Sequence, residues 1–574
     1  MSAVVGKDDA SRSKDADEIL DETLALMTRG RLGGMSAVHV PHISESEAAF
    51  KSSSGARIRA RVEAMNLDGL PPDTKRALLV ARHQARCWES EERDYWIAAE
   101  STGTYRSLFA ATAAMIGEIV PFVLESLDKL SGSDEPGSTE LYFQGYENLS
   151  RSLNEMAART QGQASRGIFM PQLGYAPGLD LVATLKDRTL ALPSHKAIRN
   201  RSAHADRQLA SILSDLRKGF ERLETLLGGD YRSRCPAPVG ILQYEGSGHV
   251  YQDLIYYNTT TARTPEDIHD LGIETVDTIN ARMREIALGE GFSDVASYRA
   301  ALNSDPRWRS NDPAEITVRF EQCMARMAPR LGQLFHASEI PRAVPAAGPL
   351  PEFLEATMAY GCYDAPKDGR EVGYFLFNAA TFSKRSLIDI APFTYHELMP
   401  GHHLHLAGQR EKTDLHPFQK MASYVAFNEG WAEYGRRLAE ENGMYHAAAE
   451  AFGGLCSDMR QATRLVVDTG INALGWSTEQ AGQYLRDNLQ VSEAEINGML
   501  FWYGCEIPGQ SLAYGLGREM MLDLRKRAAD GLQGAFDLKD FHRVILAGGS
   551  RPFDVVKRDV EDYVTSTRAD PLGS

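Results

Sequence analysis

The amino-acid sequence predicts a mainly α-helical protein with a small β component beside one chemically crowded segment. Three observations carry that expectation. Apolar residues recur at three- and four-residue intervals along most of the chain, the spacing of amphipathic helices. One short aromatic run, "VGYFLFN" (372–378), reads as a strand. Just after it, "APFTYHELMPGHHLHLAGQ" (391–409) packs His396, Glu397, His402, His403 and His405 into ten positions of a chain with fifteen histidines.

In chain order, residues 1–17 are polar and are expected to be a disordered leader with no apolar core for a signal peptide. Residues 18–235 form a helical region: 16–31, 74–99 and 106–130 each repeat their apolar residues at helical spacing. "SGSDEPGST" (131–139) reads as a linker. "ELYFQG" (140–145) resembles an engineered protease site, but the usual preceding Asn is missing and helical sequence follows, so it is read as native. Residues 195–229 predict a long amphipathic helix ending at a Gly pair. The Pro and Gly content of "CPAPVGILQYEGSGHVYQDLIYYNTTT" (235–261) predicts loops with a strand or two. A helix restarts with Thr264 as N-cap and Pro265 at its first position. Residues 236–574 are taken as the second region, which holds the histidines, and no internal repeat is visible.

Composition narrows the function. There are 62 basic against 78 acidic side chains, a net charge of −16, so no basic surplus exists to neutralise nucleic-acid phosphates. The six cysteines are scattered without a C-x-x-C pair, which argues against a zinc ribbon or a disulfide scaffold. No stretch approaches the ~20 apolar residues of a membrane span. The expectation is a reduced, cytoplasmic protein that binds neither nucleic acid nor membrane.

His396-Glu397 opens like the H-E-x-x-H zinc helix, yet position 400 is proline. Six residues separate His396 from His402, which a straight helix turns to about 240° apart. A kink or bulge at Pro400 and Gly401 would let His402 swing back onto the face of His396. His403, nearly two turns from His396, shares its face without a break but lies about 10 Å along the axis. His402 is the preferred second ligand and His403 the alternative. A catalytic zinc takes three protein ligands, and "AFNEGWAEYGRRLAEE" offers Glu429 or Glu433, one to ligate and the other to orient a histidine. Glu397, next to the first ligand, fits a general base.

These motifs resemble the bacterial zincin-like proteins catalogued as domain of unknown function 885. H-E-x-x-P-G-H-H is matched by His396, Glu397, Pro400, Gly401, His402 and His403; E-G-W-A-x-Y by Glu429, Gly430, Trp431, Ala432 and Tyr434. P-G-Q-x-L-x-Y is matched by Pro508, Gly509, Gln510, Leu512 and Tyr514. The resemblance implies a large helical zincin-like metallopeptidase fold with a small sheet beside the active-site cleft, "VGYFLFN" being its edge strand. It further implies one zinc held by two histidines and a glutamate, another divalent metal being possible, and hydrolysis of peptide or other amide bonds. Departures fall at His405, Arg436 and Tyr503-Gly504, near the expected substrate pocket rather than the metal.

Tyr514 is the candidate oxyanion donor, and Tyr374, Arg385, Gln510 and Arg518 are candidates for substrate contact, with Arg518 and Arg525 seven apart on one helix face. The substrate is expected to be a small peptide-like molecule. Two alternatives stand beside the hydrolase: a non-haem Fe(II) enzyme, whose two-histidine-one-carboxylate set is the same, and a pathway-specific biosynthetic enzyme or pseudoenzyme on this fold.

Overall fold

The computed structural model describes residues 2–131, 133, 135–191, 203–352, 355, 360–367 and 369–569. Helix accounts for 71% and strand for 4%. The chain divides into two compact units. The first comprises Met1–Tyr257 with Gly470–Gln483 and Val491–Gln510; the second comprises Asn258–Thr469, Tyr484–Gln490 and Ser511–Ser574. The boundary expected at 235/236 therefore falls at 257/258, and two later segments return to the first unit.

In the first unit, helices Ser2–Arg29, Glu45–Ala64 and Pro72–Glu89 pack together. The expected disordered leader is a correction: residues 2–17 continue into the first helix, where Ala16, Ile19 and Leu20 are buried at helical spacing. Polarity suggested disorder, but the helix that buries Ala16, Ile19 and Leu20 runs without a break from Ser2. The "ELYFQG" run lies inside the helix Ser138–Ser165, with Tyr142 and Phe143 buried. The predicted 195–229 helix is observed as Ala203–Leu227; residues 195–202 lie outside the described residues. No strand forms in 235–261. A short 3-10 turn, Ile241–Gln243, leads into the helix Ser247–Thr259. Val250, Tyr251, Leu254 and Ile255 are all buried there, a one-three-one spacing along a helix face that outweighs the Gly and Pro punctuation.

The second unit holds the histidine cluster. Its helix Pro265–Gly289 starts as predicted, with the Thr264 side chain accepting from the Asp267 amide at 3.1 Å. A three-stranded sheet follows, made of β1 (Val344–Pro349), β2 (Gly361–Asp364) and β3 (Val372–Phe377). β3 lies in the middle, parallel to β1 and antiparallel to β2. The "VGYFLFN" strand is thus central rather than an edge. β1, "VPAAGP", escaped notice because its prolines read as loop; as an edge strand it tolerates them, since proline lacks only the amide that would face outward. Gly373, Phe375 and Phe377 alternate inward on β3, and Phe375 and Phe377 each stand 5.4 Å from the Phe320 ring.

Five helices then complete the surroundings of the cluster: α1 (Ile390–Glu397), α2 (His402–Glu411), α3 (Val425–Glu441), α4 (Ala448–Asn472) and α5 (Leu512–Leu532). Gly430 of α3 and Gly517 of α5 face one another so closely that a Cβ on either would strike the other's backbone. Bare glycine at both positions lets these helices cross in contact.

Candidate metal centre

α1 and α2 are two helices, not the single kinked helix expected. Between them Pro400 has no amide to continue the ladder, and the Met399–Pro400 bond is cis. Gly401 packs straight onto the end of α1, where a Cβ would overlap the His396 carbonyl oxygen. The turn is held from α3: the Trp431 indole N–H donates to the Pro400 carbonyl at 2.9 Å, and Gly435 leaves room for the Pro400–Gly401 backbone. α2 consequently restarts at His402, with its register set independently of α1.

The restart brings three ligand atoms together. Glu429 Oε2 lies 3.5 Å from His396 Nε2 and 3.3 Å from His402 Nε2. All three ligand atoms fall within 4.8 Å of one another. Donors about 2.1 Å from a tetrahedral zinc stand about 3.4 Å apart, so both measured separations match the edge of such a site. The outer nitrogens are held as well. His396 Nδ1 donates to Glu433 Oε1 at 3.1 Å, and His402 Nδ1 faces His405 Nε2 at 3.1 Å. Partners of this kind orient the inner nitrogen of a ligating imidazole. The donor set, its separations and its outer contacts fit a zinc-class divalent cation.

Local charge favours the same occupant. Burial alone would lower the His396 pKa, but hydrogen bonds to Glu429 and Glu433 outweigh it and raise it to about 10. Burial pushes the Glu429 carboxyl up, yet the charges of His402 and His396 hold it well below the usual carboxylate range. Glu433 is held low against the same burial, by Arg436 first and then by its His396 hydrogen bond. Glu397 is raised, by burial above all. Three glutamates thus crowd two imidazoles, a surplus of negative charge that a divalent cation would neutralise.

Behind the triad runs a buried ionic network. Arg436 pairs with Glu433 and reaches Asp458 at 2.6 Å, and Asp458 also pairs with Arg518. Gln461 of α4 donates to Glu433 at 3.1 Å, and Arg464 Nη1 donates to Gln461 at 2.8 Å. Arg518, a substrate-contact candidate, is therefore committed to Asp458. Arg436, read as a departure near the pocket, instead supports the carboxylate that orients His396. Asp458, Gln461 and Arg464 were missed. Their signal was a row of polar residues at three-residue spacing, 458, 461 and 464, in "LCSDMRQATRLVVD".

His403, the alternative ligand, faces elsewhere. Its Nδ1 meets the Tyr363 hydroxyl at 2.8 Å and its Nε2 donates to the Ala343 carbonyl at 2.8 Å, which clamps α2 to the sheet. The clamp is tight enough that a Cβ on Gly373 would strike both Tyr363 and His403. Tyr363 stacks 6.4 Å from the His402 ring. Tyr514 lies on α5 with its ring 6.4 Å from that of His396 and only 14° from parallel. Tyr374 on β3 packs under Arg370. Arg385 pairs with Asp389 and covers Tyr360. Gln510 is buried as the last residue of the first unit.

A second group, His336, Asp537 and Asp540, also brings ligand atoms within 4.8 Å. Asp537 caps the helix Leu538–Ala547, and Asp540 pairs with His336 and Arg543 at 2.8 Å each. Those partners account for the group as a helix cap with ion pairs.

A family model described as "Bacterial protein of unknown function (DUF885)" matches residues 28–560. The chain belongs to this family. Two solved structures share the fold of this DUF885 member. A protein from Colwellia psychrerythraea, described as a candidate lipoprotein, is 20% identical at a TM-score of 0.82, covering 97% of this chain and 99% of that one. A candidate lipoprotein of unknown function from Shewanella oneidensis is 14% identical at a TM-score of 0.73, covering 95% and 99%. No curated protein matches. Among the described residues no helix is long and apolar enough to cross a membrane.

Proposed function

We propose that this DUF885 protein is a zinc-dependent hydrolase of a peptide or other amide bond in a small peptide-like substrate, on a zincin-like fold. The observation that carries the proposal is the convergence of His396 Nε2, His402 Nε2 and Glu429 Oε2, each imidazole backed on its outer nitrogen. Zinc held there would polarise the scissile carbonyl and acidify a water molecule.

The chain's own groups divide the remaining work. Glu397 adjoins His396 in sequence, is largely buried and has a raised pKa, so it suits a base that accepts the proton lost by the attacking water. The same carboxyl then returns that proton to the departing nitrogen. Tyr514, parallel to the His396 ring, is the donor for the developing oxyanion, an effect of ~3 kcal/mol for one such donor in other enzymes. His405 and Glu433 keep the two imidazoles aimed.

Elemental analysis of the purified protein should find one zinc per chain, lost on His402→Ala. Glu397→Gln should keep the zinc and lower turnover of a peptide pool by about 10²-fold or more. Iron in place of zinc would favour the oxygenase alternative. Unchanged turnover would remove Glu397 from the reaction.

A further inference from the structure

The outer side of His396 is held by more than one residue. Its Nδ1 meets Glu433 Oε1 at 3.1 Å, and the same oxygen accepts from the side-chain amide of Gln461, also at 3.1 Å. The other Glu433 oxygen pairs with Arg436. A carboxylate turns easily about its last side-chain bond, where the energy wells are broad. Held by Arg436 alone, Glu433 could pivot and carry Oε1 away from His396. Gln461 pins that oxygen from α4, and both side chains are buried.

Gln461 can do this in one orientation only. Its amide presents a donor on one side and an acceptor on the other, and a half-turn exchanges them. Arg464, three residues further along α4, donates through Nη1 to Gln461 Oε1 at 2.8 Å. A guanidinium has donors and no acceptor, so it holds the oxygen toward itself and leaves the NH₂ facing Glu433. The reversed amide would set its NH₂ against the cation and its oxygen against the carboxylate. Arg464 is seated in turn by Tyr514, whose ring centre lies 4.4 Å from the guanidinium and whose ring stacks 6.4 Å from that of His396. The contacts thus form a closed circuit from His396 through Glu433, Gln461, Arg464 and Tyr514 back to His396.

We propose that Gln461 and Arg464 are positioning residues for the candidate metal centre: Arg464 sets the direction of the Gln461 amide, and Gln461 holds the Glu433 oxygen that aims His396 Nε2 at the cation. The proposal rests on the zinc reading of the triad, though not on which bond is broken. It is tested on full-length protein, with zinc affinity read by competition with a chromogenic chelator and ligand geometry read from the visible bands of the cobalt(II)-loaded form. Gln461→Met keeps a similar length but cannot donate to Glu433. It should weaken zinc binding about tenfold, the loss typical of an outer partner, and shift the cobalt bands. Arg464→Met should weaken binding too, and the double variant should be no weaker than Gln461→Met, because both act through one contact. Arg464→Lys can still donate to Gln461 and should recover part of the affinity. Thermal melts of the metal-free proteins separate these effects from folding, since a residue that only fills space would lower the melting temperature and leave the cobalt bands in place. Unchanged affinity and bands in a folded Gln461→Met, or additive losses in the double variant, would overturn the positioning role and leave the zinc reading standing. Should Gln461→Met not fold, wild-type affinity and bands in Arg464→Met would overturn it. Unsubstituted protein that takes up neither zinc nor cobalt would sink the zinc reading and the positioning role with it.

Discussion

Three neighbouring histidines, His402, His403 and His405, have three different tasks. His402 offers Nε2 toward Glu429; His403, fully buried, ties Tyr363 to the Ala343 carbonyl; His405 backs the Nδ1 of His402. Sequence spacing gave good grounds for His402 over His403, because a proline-glycine break was the one way to use a six-residue separation. It offered no way to see the sheet clamp, since Tyr363 is 40 residues upstream. His403→Gln is expected to keep zinc at one per chain and to lower unfolding free energy by about 1–3 kcal/mol, the cost of leaving a buried partner unsatisfied. Denaturant unfolding with parallel metal analysis measures both, and loss of zinc from a well-folded variant would contradict the assignment.

At the level of elements, the candidate centre depends on a turn between α1 and α2 that α3 holds in place. The Trp431 indole fixes Pro400, Gly435 admits the turn, and Gly430 lets α3 press against α5, which carries Tyr514. One stretch of α3 thereby supplies a candidate ligand, an orienting carboxylate and the brace for the other two candidate ligands. Trp431→Phe removes the donor while keeping an aromatic ring in the buried position. It should weaken zinc binding by about tenfold, as loss of an outer partner commonly does, with helix content unchanged. Competition with a chromogenic chelator reads this directly; wild-type affinity would show that the turn holds its own shape. The motif residues were legible as a pattern, and the division of labour among them was not, because it is made of contacts between helices.

For the whole molecule, pH reports on buried histidines that are not part of the triad. His542 has no exposed surface; its Nδ1 donates to the Leu334 carbonyl and its Nε2 accepts from the Tyr434 hydroxyl, both at 2.8 Å. Burial is the main reason its pKa falls to about 4. The unfolded chain takes up this proton near the ordinary value of 6.5, whereas the folded chain refuses it until about pH 4. Stability from this group is thus complete above pH 6.5 and is lost on acidification, by about 3 kcal/mol at pH 4. His83 in the first unit, lowered to about 3 by burial, adds in the same direction. His542→Asn should cost most stability near pH 7.5 and progressively less toward pH 4.5 in thermal melts. A penalty independent of pH would mean that the histidine is not held neutral.

Sequence alone determined the helical class, the family, and the residues that compose the candidate centre, because helix periodicity and the spacing around Pro400–Gly401 are local properties of the chain. Tertiary structure decided everything that required distant segments to meet. It made β3 the middle strand by pairing it with a proline-bearing β1 that reads as loop, and it returned residues 470–483 and 491–510 to the first unit. It also turned Arg436 from a misfit into a support, through an Asp458 that lies 22 residues away in sequence and 2.6 Å away in space. Burial makes that difference: a charge removed from water must find a partner, and which partner it finds depends on packing rather than on order along the chain.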